Sequence, residues 1–302
     1  MRRASPGRDL GAASPAIDSP LKMGHQSRDR QVPRRAMRTR APRRQAPVGI
    51  PAALWRRVAA APHRLLMLDY DGTLAPFRTD RAAARAQPAT LARLRALSEA
   101  RGTTLAIVSG RPLAELARLI GIPGLHMIGE HGWEERRPGR RPIRHRLVPA
   151  SRAALARAAA AASGHGWGLR VERKRTGLVL HTRGLPAARA RALEAEARRA
   201  WAPEAGDGVL MLAPTAGGIE LRAPQRTKGT AARSLIAAAP EGTLAVFVGD
   251  DHTDEDAFAV VRGSGFGVRV GAGRRASLAV ARLADCDAVA EFLGRWLRLR
   301  DA

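Results

Sequence analysis

Four consecutive apolar residues, Leu65-Leu66-Met67-Leu68, run straight into Asp69-Tyr70-Asp71-Gly72-Thr73-Leu74. A short run that is apolar at every position reads as a strand buried on both faces, as in a parallel sheet. It ends abruptly in two carboxylates, and Gly72-Thr73 then forces a turn. In open α/β sheets, ligands bind outside the carboxyl ends of the strands. A carboxylate held there can attack phosphorus and carry an aspartyl-phosphate. A second one, one alternation further on, can hand a proton to the leaving oxygen. Asp-x-Asp by itself fits a plain acidic turn equally well. The buried strand before it and Gly-Thr-Leu after it favour Asp69 as nucleophile and Asp71 as general acid.

The rest of the chain repeats this strand-and-helix rhythm. Pro88 to Ala100 reads as a helix, with Leu91, Leu94 and Leu97 on one face. Thr103 to Val108 is a second buried strand, ending in Ser109-Gly110-Arg111. Pro112 to Ile120 is a helix closed by Gly121, and Leu125 to Ile128 is a strand ending in Gly129-Glu130-His131-Gly132. Alternation of this kind predicts a doubly wound parallel α/β sheet. From Trp133 the pattern changes to a hairpin, an Ala-rich helix with Ser151 as its N-cap, and further short strands flanking a second helix. This stretch predicts an inserted α+β cap domain over 134–217. The parallel rhythm returns with Gly218 to Arg222, so 48–133 plus 218–302 form the expected core. Leu244 to Val248 is its next strand, and Asp287 to Leu299 its last helix.

Other strand ends and loops add complementary chemistry. Ser109 can donate a hydrogen bond to a phosphoryl oxygen, with Gly110 and Arg111 beside it as candidate substrate contacts. Lys228 opens a helix, where the backbone dipole also favours anions. Gly249-Asp250-Asp251-His252-Thr253-Asp254-Glu255-Asp256 packs acids at a strand end rather than only within a helix. Mg²⁺ is bound by a few carboxylates together with phosphate and water oxygens. Asp69 and Asp250 can supply these, with the Asp71 carbonyl as a third ligand and Asp251 and Asp254 as a supporting acidic loop. Such an ion would offset repulsion between an anionic nucleophile and an anionic phosphate.

In order along the chain, Asp69-x-Asp71-Gly-Thr-Leu, Ser109, Lys228 and Gly249-Asp250-Asp251 resemble the four motifs of the haloacid dehalogenase superfamily, mostly phosphatases. More narrowly, Leu68 to Pro76, Gly129 to Gly132 and Gly249 to Asp256 are similar to the trehalose-6-phosphate phosphatase family. So are Glu172-Arg-Lys-Arg-Thr-Gly-Leu-Val-Leu-His181 and Gly218-Ile219-Glu220. The resemblance implies a Mg²⁺-dependent core that does the chemistry and a cap that reads the sugar. Glu172, Lys174 and Glu220 are then the expected sugar contacts, since Glu172 and Lys174 alternate along one strand and share a face. His131 is a further candidate contact, although a histidine there also serves simply to cap its loop. The family often has a lysine shortly before the glutamate matching Glu220. Gly217-Gly218-Ile219 stands there instead, so that contact is missing or comes from an arginine.

Composition narrows the field further. No apolar run reaches the ~20 residues of a membrane span. The single cysteine, Cys286, rules out an intramolecular disulfide and fits a reducing cytoplasm; it reads as a small buried side chain at the start of the last helix. The formal charge of +25 suggests nucleic acid as a partner. However, residues 1–47 alone hold eleven arginines and one lysine against three aspartates. That stretch is expected to be a disordered basic tail. The remaining excess is spread over Ala-rich helices with little aromatic interleaving, so a nucleic-acid partner is not favoured. Only three lysines occur, Lys22, Lys174 and Lys228, and the last two fall inside the motifs. The expected substrate is trehalose 6-phosphate and the expected state a monomer. Rivals are a phosphatase for sucrose phosphate or a mannosyl-glycerate precursor, a mutase, and a basic nucleic-acid-binding protein.

Overall fold

The computed structural model describes residues 48–299 apart from Thr79, Ala216 and Arg274. The basic tail, 1–47, lies outside the described residues. A short helix, α1 (Ala52–Ala60), buries Trp55 and Val58 and leads into β1 (Arg64–Leu68). α2 (Pro88–Glu99) starts on a proline, whose missing N–H costs nothing in a first turn. β2 (Thr103–Val108), α3 (Leu113–Ile120) and β3 (His126–Gly129) continue the alternation. A hairpin follows, β4 (Glu134–Arg136) and β5 (Ile143–Arg144). Next come α4 (Pro149–Gly164), β6 (Val171–Arg173), β7 (Gly177–His181), α5 (Ala187–Trp201), β8 (Met211–Thr215) and β9 (Gly218–Arg222). The chain then runs through α6 (Lys228–Ala238), β10 (Leu244–Gly249), α7 (Asp254–Val261), β11 (Gly265–Val270), β12 (Ala281–Leu283) and α8 (Cys286–Arg298).

The central sheet has the order β12-β11-β10-β1-β2-β3-β4-β5, parallel from β12 to β3 and antiparallel beyond. Every residue of β1 is buried, as its sequence demands. Leu66 and Leu68 pack with residues of α1, α2, α3 and α8 on one face. Leu65 and Met67 point the other way, against α6 and α7. Two apolar layers on one strand are the signature of a doubly wound sheet. The strand after β1 in sequence lies on one side of it and β10 on the other. The strand order therefore reverses at β1, which opens a crevice at the carboxyl ends of β1 and β10.

A second sheet is antiparallel, in the order β6-β7-β9-β8, with its own core built from Leu178, Leu180, Ile219 and Leu221 against Ala158, Ala197 and Trp201. Its makeup corrects both expected boundaries of the insertion. The hairpin β4–β5, expected in the cap, extends the central sheet, because β4 pairs directly with β3 through Gly129 and Glu134. Mixed sheets commonly carry antiparallel edge strands, so a change of rhythm need not mark a new sheet. Conversely β9, expected in the parallel core, is an inner strand of the small sheet, paired with β7 and β8. Its five buried residues reflect that inner position. The small-sheet body thus spans 149–222. Ser151 does not cap α4: Val148 holds the N-cap position, and the Ser151 hydroxyl donates to the Val209 carbonyl at 2.7 Å. Cys286 opens α8 as expected but is half-buried.

Candidate active site

Asp69 follows β1 directly, and its N–H donates to the Val248 carbonyl at 2.9 Å, so the turn stays stitched to β10. The side chain is buried, and burial pushes its carboxyl up to about 7 against the opposing pull of Lys228. Lys228, at the first turn of α6, places its ammonium 2.9 Å from Asp69 Oδ1 and 2.7 Å from Asp254 Oδ1. Thr227 caps that helix by accepting from Thr230 N–H. The cap fixes where α6 begins and hence where the ammonium points. Burial works against the charge on Lys228, yet the two carboxylates hold its pKa above the ordinary lysine value.

Asp71, by contrast, is held by Arg111. Nε donates to Oδ2 and Nη2 to Oδ1, both at 2.6 Å, a two-pronged fork matched to a carboxylate. The same guanidinium is also paired to Glu115 and lies over the Tyr70 ring. Arg111, 1% exposed, thus holds Asp71 and also lines the cleft, where the sequence suggested a substrate contact. Ser109 is buried beside it and accepts from the Arg111 N–H at 3.2 Å.

Oxygens of Asp69, Asp250 and Asp254 lie within 4.8 Å of one another. Burial and the neighbouring carboxylates push Asp250 well above the ordinary range, and its Oδ1 is buried without a hydrogen-bond partner. Three converging carboxylates and an orphaned oxygen suit a hard divalent cation. Asp254, read as part of a supporting acidic loop, lies within this group. The Asp71 side chain faces Arg111, and its expected ligand atom is the backbone carbonyl. Asp254 also accepts from the Asp251 N–H at 2.8 Å, which ties the acidic loop together.

The small sheet faces this cluster. Lys174 Nζ donates to Glu220 Oε1 at 2.8 Å, and both side chains are buried. Although burial alone would raise the Glu220 pKa, Lys174 and His131 hold it well below the usual range. His131 Nε2 lies 3.2 Å from Glu220 Oε2. Burial lowers the imidazole to about 4, so it is neutral. His131 comes from the core loop after β3, where Glu130 and His131 both adopt positive φ, 45° and 58°. Its ring covers Gly110: a Cβ there would stand 2.6 Å from His131 Cε1. Glu130 reaches the small sheet too, accepting from the Thr176 hydroxyl at 2.8 Å. Glu172 pairs with His181 Nε2 at 2.9 Å.

One cleft of about 80 Å³ brings these groups together. Asp69, Asp71, Ser109, Gly110, Arg111, His131, Glu172, Lys174, Glu220, Lys228, Asp250 and Asp251 all line it. Asp254 sits behind, fully buried. The sequence reading missed Phe77, His181, Arg183, Thr215 and Thr253, which also line the cleft.

The model of a family described as trehalose-phosphatase matches residues 67–285, the span that carries the whole cleft. The chain belongs to the trehalose-phosphatase family. Among its curated relatives, a trehalose-phosphate phosphatase of Mycobacterium marinum is 34% identical over 247 residues, 78% of this chain and 61% of that protein. The chain thus spans about three-fifths of that relative's length. The C-terminal domain of a Candida albicans trehalose-6-phosphate phosphatase superposes with a TM-score of 0.72 at 23% identity, covering 84% of this chain and 99% of that one. A haloacid dehalogenase-like hydrolase from Bacteroides thetaiotaomicron gives a TM-score of 0.55 at 15% identity, covering 77% and 99%. At that identity the likeness is one of fold: this chain shares its mostly parallel α/β sheet with that hydrolase.

Proposed function

We propose that the chain is a Mg²⁺-dependent phosphatase that hydrolyses trehalose 6-phosphate to trehalose and phosphate. The observation that carries this reading is the buried Asp69–Lys228–Asp254 cluster at the end of β1, lying in one cleft with the Lys174–Glu220 pair of the facing sheet. An oxygen of Asp69 attacks phosphorus, and the ester oxygen leaves with a proton from Asp71. The product of this step is an aspartyl-phosphate on Asp69. Water then attacks the same phosphorus and gives a proton to Asp71, the bond from Asp69 to phosphorus breaks, and phosphate leaves. The Arg111 fork occupies both Asp71 oxygens, so one of them must leave the fork and carry a proton before Asp71 acts as the acid. Lys228 and the Ser109 hydroxyl face the phosphoryl oxygens. Asp69, Asp250 and Asp254, with the Asp71 carbonyl, would hold Mg²⁺, which when bound supplies charge neutralisation for the anionic reactants.

Lys174, Glu220 and Glu172 offer donors and acceptors to sugar hydroxyls. The small sheet acts as a cap over the cleft, opening to admit substrate and to release trehalose. A cytoplasmic monomer is part of the proposed reading; no helix among the described residues is long and apolar enough to cross a membrane. The test is a ratio: kcat/KM for trehalose 6-phosphate over that for para-nitrophenyl phosphate. Glu220→Gln and Glu172→Ala are expected to lower it by about 1–3 kcal/mol equivalent, because a sugar hydroxyl loses its partner. Equal loss on both esters would overturn the sugar-reading role.

A further inference from the structure

Arg183, two residues beyond β7, reaches from the small sheet to the loop that follows Asp71. Its guanidinium carbon stands 4.5 Å from the centroid of the Phe77 ring, over its face. Its Nη1 donates to the Arg78 carbonyl at 3.0 Å. The side chain lies across Gly217, where a Cβ would stand 2.4 Å from Arg183 Cγ and 2.6 Å from Nε. Any residue other than glycine at 217 would displace the arginine, and the backbone there has φ +119°, which also favours glycine. Phe77 is 40% exposed, so burial does not account for the ring's placement. It leans on the catalytic turn: a Cβ on Gly72 would stand 2.8 Å from Phe77 Cε2. Arg183 and Phe77 both line the cleft.

These contacts make a bridge between the two sheets at the rim of the cleft. The His131–Glu220 and Glu130–Thr176 contacts join the same two sheets through the loop after β3. The Arg183 contact differs in kind. It includes a stacked cation and a hydrogen bond to a backbone carbonyl, contacts of a kind that are individually of modest strength, and it is set on partly exposed groups. Arg183 comes from the small sheet and Phe77 from the loop after Asp71, so any movement that parts the two sheets at this rim separates the pair.

We propose that Arg183 is a clamp that holds the small sheet closed on Phe77 and Arg78, and so favours esters whose sugar needs that sheet in place. The inference rests on the substrate reading above, and Arg183 acts as a positioning residue through Phe77. Losing the clamp shifts the enzyme toward the open form. An ester read by the small sheet then loses transition-state contacts, whereas a small aryl phosphate depends less on closure.

The test uses wild type, Arg183→Lys, Arg183→Ala and Phe77→Leu, with thermal midpoints confirming that each folds. Amide hydrogen exchange in 72–78 and 181–185 of the free protein is expected to quicken in Arg183→Ala and Phe77→Leu. The ratio of kcat/KM for trehalose 6-phosphate to that for para-nitrophenyl phosphate is expected to fall roughly tenfold in Arg183→Ala. It should fall less in Arg183→Lys, which keeps the charge and loses the fork. An unchanged exchange rate, or equal loss on both esters, overturns the clamp. Should Arg183→Ala fail to fold, Phe77→Leu gives the same two readouts. A wild-type enzyme inactive on trehalose 6-phosphate overturns the substrate reading instead, and hydrogen exchange still decides the clamp.

Discussion

The ammonium of Lys228 lies 2.9 Å from the carboxylate of Asp69, at the end of a strand buried on both faces. One cation thus stands between two carboxylates, Asp69 and Asp254, both buried. Lys228→Met keeps the apolar stem and removes the charge. We expect it to cost on the order of 3 kcal/mol in urea unfolding, because the carboxylates lose their partner, and to drop kcat at least a hundredfold. Near-normal kcat with normal stability would show that the lysine is a bystander.

Chelation gives a second expectation. Exhaustive EDTA treatment is expected to abolish turnover and added Mg²⁺ to restore it. Asp250→Asn and Asp254→Asn should each raise the Mg²⁺ concentration needed for half-maximal activity by tenfold or more, whereas Glu115→Gln should not. Activity indifferent to chelation would contradict the ligand group formed by Asp69, Asp250 and Asp254.

His131 makes stability depend on pH. Burial holds its folded pKa near 4, below the ordinary value of 6.5. Between those values the unfolded chain binds a proton that the folded chain does not. Stability from this group is therefore full above pH 6.5 and falls as pH drops toward 4. The depressed Glu220 adds a loss below the usual carboxylate range as it protonates. Urea unfolding at pH 7.5 and 5.0 should show a smaller difference in His131→Asn than in wild type. Asparagine tolerates the positive φ at this position. Equal differences would mean that the imidazole is not held neutral.

Much of the candidate site on the large sheet was legible locally. Asp69 and Asp250 were visible because each follows an apolar run of strand length, and a strand end fixes where the next side chain sits. The pairings were not visible. Nothing near Arg111 in sequence shows that its fork closes on Asp71, and nothing in the acidic run singles out Asp254 as the partner of Lys228. Both depend on which strands become neighbours. The same long-range choice placed β9 in the small sheet and β4–β5 in the large one, against the local rhythm. Phe77 and Arg183 carried no local signal, since a loop phenylalanine and one more arginine in an Arg-rich chain look ordinary until the two sheets face each other.

The most direct measurement is phosphate release by the full chain, with Mg²⁺, from trehalose 6-phosphate, sucrose 6-phosphate, glucose 6-phosphate and para-nitrophenyl phosphate, in wild type and Asp69→Asn. Asp69→Asn is nearly isosteric and removes the attacking charge. We predict that kcat/KM is highest for trehalose 6-phosphate by at least tenfold, and that folded Asp69→Asn releases no phosphate from any ester. Preference for another ester, or turnover by Asp69→Asn comparable to wild type, would contradict the account.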